Sequence, residues 1–153
     1  MEKIYKEVEE LLEFIKEELD NMNVKAEVAF MNGDCGNLYK IFVKKFPRFT
    51  TPFLVRFKEE PMHLMTKIGE KFYDITGETS LEKYIEYLKR ENSDRAEMFE
   101  SKEFELKQLS VADPIINKMC DMYRYNEDYE QSEINSEMFK LSELLEERDE
   151  EER

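Results

Sequence analysis

The sequence has few of the residues that build cross-linked, fibrous or membrane-spanning proteins. Among its 153 residues are 4 glycines, 4 prolines, 2 cysteines, a single histidine and no tryptophan. So little glycine and proline excludes collagen-like and proline-rich architectures, and two cysteines in unrelated surroundings do not make a disulfide framework. No apolar run approaches the roughly 18–20 residues that a membrane helix needs. We therefore expect reduced thiols in a cytosol, no membrane segment and, because acidic residues interrupt the N-terminal apolar pattern, no export signal.

Apolar side chains are nevertheless plentiful, and the charge is uneven. The chain has 11 Phe, 8 Tyr and 9 Met, which is enough for a core, and its net charge is −14. Residues 1–90 carry 17 acidic and 15 basic residues (net −2), whereas residues 91–153 carry 20 acidic and 8 basic residues (net −12). This acidic half disfavours direct nucleic-acid binding. It suits either solubility alone, which is the commoner reason for such a surface, or binding to a basic protein surface.

The first half of the chain mixes helical and strand patterns. Residues 2–22 have apolar side chains at helical spacing, and residues 24–30 alternate as in a strand. Residues 38–46 predict a second helix, which Pro47 ends. Residues 51–57 predict another strand, with a proline that an edge position tolerates.

A hairpin follows, and its turn fixes which residues face each other. Gly69-Glu70 separates two strand-like runs, and a glycine at the first of two loop positions suits a type II′ turn. Ile68 then faces Lys71, and this register brings His63 and Asp74 to diagonal positions on one face of the hairpin. Diagonal neighbours are about 7–8 Å apart at their Cα atoms, so an imidazole and a carboxylate can meet there. Such a carboxylate would fix the tautomer of the imidazole and stabilise its cation.

The rest of the chain reads as helical. Thr79 and Glu82 fit a capping box that opens a helix, Asp113-Pro114 suits the start of another helix, and apolar residues between 134 and 145 predict a last one. We expect an α+β core over residues 1–90 and an acidic helical extension over residues 91–153. The outer helices could pack on the core or on a second copy, so the oligomeric state is open.

Cys35 is the first candidate for chemistry, because it lies in a polar loop that opens directly into a helix. Unpaired N–H groups and the helix dipole favour a thiolate at that place. The Cys35 N–H, together with the Asn32 side chain, could stabilise an oxyanion. Between residues 31 and 77 there are 8 basic and 5 acidic residues, so the surroundings are mildly positive. A cysteine at a helix start followed by a histidine and an acid on neighbouring strands predicts nucleophilic acyl chemistry.

Two stretches, NGDCGNLYKIFVKKFP at 32–47 and HLMTKIGEKFYDITGE at 63–78, resemble a group of small bacterial and phage proteins with a minimal papain/transglutaminase-type core. The resemblance covers about residues 31–90. It implies a helix with an N-terminal cysteine packed on a small antiparallel sheet, and a triad of Cys35, His63 and Asp74. Gly36 departs from the pattern, where a bulkier residue is expected, and the tryptophan common beside transglutaminase-type sites is missing.

Two functions follow from these observations. The first is a cysteine-dependent hydrolase or acyltransferase acting on an amide, isopeptide or thioester bond of a protein or peptide, without cofactor or metal. The second is a non-catalytic acidic phage-type inhibitor that covers a basic surface of a host defence protein in the bacterial cytosol. Each residue also has a plainer interpretation, since a cysteine at a helix start is often only buried and an aspartate at a strand end often holds a turn.

Overall fold

The computed structural model of the chain describes residues 1–31, 35–120 and 131–151. Its helices are α1 (Glu2–Asn21), α2 (Ala26–Met31), α3 (Cys35–Lys45), α4 (Leu81–Glu91), α5 (Ile115–Lys118) and α6 (Gln131–Glu151). Its strands are β1 (Thr50–Phe57), β2 (Glu60–Ile68), β3 (Lys71–Asp74), β4 (Gly77–Thr79) and β5 (Phe104–Gln108). The predicted α+β class is confirmed, whereas the papain/transglutaminase-like identity of the fold stays a prediction.

The strands form one antiparallel sheet in the order β4-β3-β2-β1-β5. The predicted hairpin is confirmed, because Ile68 pairs with Lys71 and Thr66 pairs with Tyr73. Gly69 has φ +62°, a value that favours glycine and that the first loop position of a type II′ turn requires. Register in a hairpin follows from the turn, so this glycine also determines where His63 lies relative to β3.

The fifth strand was not predicted from the sequence. β5 pairs with β1 along its whole length, and Phe104 lies opposite Phe57 with their ring centroids 4.8 Å apart. Phe104 and Leu106 alternate with charged residues, which is the pattern of a half-buried edge strand. The acidic second half of the chain therefore contributes to the sheet as well as to helices.

The strand predicted over residues 24–30 is wrong, because residues 26–31 form α2. Ala26 and Phe30 are buried four residues apart, and this spacing places them on one face of a helix as well as on one face of a strand. A short run of alternating apolar residues cannot distinguish the two periods. Asn23, with φ +62°, turns the chain between α1 and α2.

The main core lies between the helices and the sheet. α1 is amphipathic as predicted and buries a stripe of Tyr5, Val8, Leu11, Leu12, Ile15 and Leu19. Full burial of a Leu or Ile side chain stabilises the folded state by about 1.5–3 kcal/mol, so this stripe fixes α1 on the core. A second, smaller apolar cluster surrounds the beginning of α3; its members are Cys35, Tyr39, Leu54, Leu64, Leu109, Ile116 and Met119.

Two helix starts differ in detail from the prediction. Ser80, rather than Thr79, is the N-cap of α4, and its hydroxyl accepts a hydrogen bond from the Lys83 N–H at 3.2 Å. Pro114, rather than Asp113, is the N-cap of the short helix α5, and Asp113 Oδ1 accepts a hydrogen bond from the Ile115 N–H at 3.0 Å. A serine or aspartate oxygen satisfies an N–H that has no acceptor within its helix.

Helix α6 carries much of the acidic charge and packs beside α1 and α3. Lys44 contacts Glu146 at 3.3 Å, and Lys45 contacts Asp149 at 2.9 Å. Such partly exposed pairs contribute about 0–1 kcal/mol each and weaken in salt. In the described ranges, no helix has the length and apolar character needed to cross a bilayer.

Candidate functional site

The hairpin brings His63 and Asp74 into direct contact. His63 Nε2 lies 3.3 Å from Asp74 Oδ2, and both side chains are buried, with 0% and 2% exposure. The predicted diagonal contact is therefore present. Because a buried charge needs a partner, this pair is stable only while the imidazole and the carboxylate remain together.

A tight turn holds Asp74 from its other side. Its Oδ1 accepts hydrogen bonds from the Thr76 N–H at 2.8 Å and from the Thr76 hydroxyl. This is an Asx-type turn, in which the side chain bonds the backbone two residues ahead. Burial raises the pKa of Asp74, but the hydrogen bonds and charge of His63 and the bonds from Thr76 outweigh burial and lower it. Asp74 thus holds a turn and pairs with the histidine through different oxygens.

Tyr84 of α4 covers the flat face of the imidazole. The two rings are stacked at 4° with their centroids 4.5 Å apart, and Tyr84 is itself buried. An aromatic face stabilises a cation placed over it, and stacking fixes the plane of the imidazole. Burial is the main cause that raises the pKa of Tyr84, so this phenol stays neutral.

The protonation of His63 reflects these neighbours. Burial lowers the pKa of His63. The hydrogen bond to Asp74, the contact with the Cys35 side chain and the charges of these two residues outweigh burial and raise the pKa to about 9. The imidazole is therefore protonated at neutral pH. Within the described residues, Nδ1 of this buried ring has no hydrogen-bond partner. Cys35 is thus near enough to raise the pKa of the ring through both its side chain and its charge.

Cys35 begins α3 and reaches the edge of β2. Its Sγ accepts a hydrogen bond from the Leu64 N–H at 3.3 Å, and only 2% of the residue is exposed. The hairpin register would pair Leu64 with Ile75, but β3 ends at Asp74. The end of β3 therefore leaves the Leu64 N–H to the thiol and places Cys35 beside the residue that precedes Leu64, which is His63.

The predicted oxyanion groups have different outcomes. Asn32 lies outside the described residues, so its predicted role stays a prediction, as does that of the Cys35 N–H. The N–H of Gly36 already holds a carbonyl, because it donates to Met119 O at 3.0 Å. The same oxygen lies 3.7 Å from Cys35 Sγ, which donates to it. One carbonyl oxygen is thus bound by both a helix-start N–H and the thiol.

Sequence reasoning missed Gly36, Tyr84 and Met119. The sequence suggests that Gly36 leaves the backbone open to a substrate, yet a Cβ there would lie 2.6 Å from Ile116 O and 2.8 Å from Cys120 N, so this space is filled by the chain itself. Glycine is therefore required for close packing of residues 116–120 against α3. The glycine directly after the cysteine was the one available signal, while Tyr84 and Met119 resemble ordinary core residues in the sequence.

The arrangement suits proton exchange at an imidazole beside a thiol, followed by acyl transfer. Nε2 is held by Asp74, which leaves Nδ1 as the ring nitrogen that can exchange a proton with Cys35. In the described part of the chain, no group of three or more His, Cys, Asp or Glu side chains could hold a metal ion.

Comparison with protein families matches residues 11–112 to the phage YunG-like protein model. The chain belongs to the phage YunG-like protein family. The expected similarity to small phage proteins is thereby confirmed, whereas the papain-like core stays a prediction. The matched range contains Cys35, His63 and Asp74 and ends one residue before Asp113. No curated protein and no solved structure matches the chain.

Proposed function

We propose that this phage YunG-like protein is a cysteine-dependent hydrolase or acyltransferase that acts on an amide, isopeptide or thioester bond of a protein or peptide in the bacterial cytosol. The single observation that supports this best is the buried Nδ1 of His63, which has no hydrogen-bond partner among residues 1–31, 35–120 and 131–151 and lies beside the Cys35 side chain. A buried polar atom without a partner costs about 1–3 kcal/mol, and native structures retain few of them. A reaction in which Nδ1 gains a hydrogen-bond partner is a physical reason for the protein to retain such an atom.

The proposed reaction divides the roles among three side chains. The reacting form is an ion pair in which Cys35 has lost its proton and His63 is the imidazolium, and the sulfur attacks the substrate carbonyl carbon. An S–C bond forms while the C–N or C–S bond to the leaving group breaks, and the imidazolium gives its proton to that leaving group. Water or an amine then attacks the thioester with its proton passing to His63, and release of the thiolate restores the ion pair. Asp74 keeps Nε2 occupied and stabilises the imidazolium throughout.

The direct test is covalent labelling with p-nitrophenyl acetate, located by peptide mass mapping. We expect an acetyl group on Cys35 that water removes, formed faster than any adduct on Cys120. Exposure alone favours Cys120, which is half-buried whereas Cys35 is buried, so a preference for Cys35 requires activation. Cys35→Ala should abolish the transient adduct and Cys120→Ala should retain it. An adduct on Cys120 alone, or equal slow reaction of both thiols, would contradict the proposal.

A second candidate function, a non-catalytic inhibitor that binds a basic host protein, is favoured by the exposed acidic side of α6. Glu143, Glu147 and Glu150 are exposed there, on a helix that follows the sheet in the chain. Opposite charges across an interface raise association rates and give salt-sensitive binding. This function needs neither the thiol nor the imidazole.

The two functions separate in a phage-growth assay in a restrictive bacterial host. For the inhibitor, changing Glu143, Glu147 and Glu150 to lysine together should abolish the protective effect, whereas Cys35→Ala should leave it unchanged. Changing them to glutamine is the matched control and should give a smaller loss, because it removes charge without reversing it. The opposite pattern, with loss only in Cys35→Ala, would reject the inhibitor and support the enzyme.

A further inference from the structure

The candidate site is covered by a segment of its own chain, residues 113–120. Met119 is fully buried, and its carbonyl oxygen accepts from the Gly36 N–H at 3.0 Å and from the Cys35 thiol at 3.7 Å. Farther along α3, Asn37 Nδ2 donates to Cys120 O at 3.2 Å, and Lys40 Nζ donates to Asn117 Oδ1 at 2.9 Å. Contacts from the first two turns of α3 thus hold the backbone of one short segment directly over the nucleophile.

The Met119 side chain fills an apolar slot beside the thiol. The slot belongs to the smaller apolar cluster and includes Tyr39 of α3 and Leu54 and Leu64 of the sheet. Burial raises the pKa of Tyr39, so its phenol stays neutral beside the slot. A long, unbranched methionine adapts well to such an irregular space. Met119 therefore presents its backbone carbonyl to the thiol and its large apolar side chain to the slot. Both groups lie on the N-terminal side of the peptide bond that follows Met119.

The connection to this segment differs from the rest of the core. Val111 is 72% exposed, and its neighbours Ser110 and Ala112 are exposed as well. The family match ends at residue 112, before the covering segment begins. Exposed connections with few buried contacts open at lower free energy than core elements. We therefore expect the segment to open at a lower free energy than the sheet.

We propose that residues 113–120 act as a pseudosubstrate, and that the true substrate is a peptide segment that replaces them with a large, unbranched apolar side chain on the acyl side of the scissile bond. The substrate class in this inference rests on the proposed acyl chemistry. The covering of the thiol by residues 113–120 does not depend on it. Displacement of Met119 would release the Gly36 N–H and Cys35 together. The substrate carbonyl would then take the place of the Met119 carbonyl.

The covering is tested by the alkylation rate of Cys35 with iodoacetamide, measured in the full chain by peptide mapping. Met119→Ala empties the slot, and Gly36→Ala forces a Cβ against the backbone of Ile116 and Cys120. We expect each to accelerate alkylation of Cys35 by about 30-fold or more, because a cavity in Met119→Ala and overpacking in Gly36→Ala both shift the local opening equilibrium by about that factor. Met98→Ala is the matched control, because Met98 is 45% exposed, and it should leave the rate unchanged. Unchanged rates in both slot variants would overturn the proposal.

Amide hydrogen exchange gives a second test, which uses the unaltered protein and so does not require any variant to fold. The Gly36 N–H donates to Met119 O, whereas the Phe46 N–H donates to Phe42 O at 2.7 Å. If the segment opens locally, Gly36 exchanges faster than Phe46. Equal protection of the two amides would mean that the site opens only on global unfolding, and would overturn the proposal.

Acyl selectivity tests the substrate class separately. N-acetylmethionine and N-acetylaspartate thioesters are compared as acyl donors to Cys35, and we expect the methionine thioester to react about 10-fold faster or more, since burial of its side chain favours it. Equal rates would overturn the apolar substrate. Reaction of Cys35 with neither thioester, even in Met119→Ala, would overturn the proposed enzymatic function while leaving the alkylation result intact.

Discussion

Replacing His63 by glutamine should slow acylation of Cys35 by p-nitrophenyl acetate about 10²–10⁴-fold, the usual contribution of general acid–base catalysis. Glutamine keeps an N–H that can donate to Asp74, but it has no atom that can accept a proton from the thiol. The effect therefore falls on proton transfer and spares the hydrogen bond that holds β3. Rates are measured by the release of p-nitrophenol and by mapping of the acetyl group.

The same variant should leave access to the thiol unchanged. Met119→Ala combined with His63→Gln should be alkylated about as readily as Met119→Ala alone when the pH is high enough to ionise any thiol. Far-UV circular dichroism and the urea midpoint establish that the sheet is intact. A rate of acylation in His63→Gln within about 3-fold of the unaltered protein would show that the imidazole is structural, because general acid–base catalysis is worth at least about 10²-fold.

The contacts fixed by local geometry were predictable from the sequence. A two-residue turn at Gly69 determines the hairpin register, and the register determines that His63 meets Asp74. The end of α3 was predictable because Pro47 and the apolar spacing define it, whereas its first residues, 35–37, were predicted as loop. Each of these inferences needs only residues that are close in the sequence.

The contacts that come from distant parts of the chain were not predictable. Cys35 and Met119 are 84 positions apart, and nothing in the pattern around Met119 distinguishes a residue that covers a thiol from one that fills a core. The stacking of Tyr84 on His63 depends on how α4 packs over the hairpin. The helix α2 was missed because its buried residues fit both periods, and only the tertiary structure selects one.

Replacing Asp74 by alanine should lower the free energy of unfolding by about 3–5 kcal/mol at neutral pH, because it leaves a buried imidazole without its partner. It also removes the acceptor of both Thr76 hydrogen bonds. Asp74→Asn is the milder variant, since its amide oxygen can still accept from Thr76, and we expect a loss of about 1–3 kcal/mol. Urea unfolding followed by circular dichroism measures both.

The pH dependence of stability distinguishes an ion pair from a simple packing contact. The pKa of His63 is raised from 6.5 to about 9 in the folded protein. The protonated imidazole therefore contributes fully to the free energy of unfolding below about pH 6.5, and this contribution is lost as the pH rises through 9. The free energy of unfolding should therefore fall by roughly 3 kcal/mol across this range, relative to His63→Gln. The groups that face the ring are Asp74 from β3, Cys35 from α3 and the neutral Tyr84 from α4.

Removing Asp74 and Cys35 together should reverse this slope. In Asp74→Asn combined with Cys35→Ala, burial alone acts on His63 and lowers its pKa, so the protonated imidazole opposes folding. Stability should then rise as the pH approaches 6.5 from below and level off above it, again relative to the same chain with His63→Gln. If the double variant kept the falling slope of the unaltered protein, the charge on His63 would not depend on Asp74 and Cys35. The imidazolium could not then be the group that these two side chains stabilise for proton transfer.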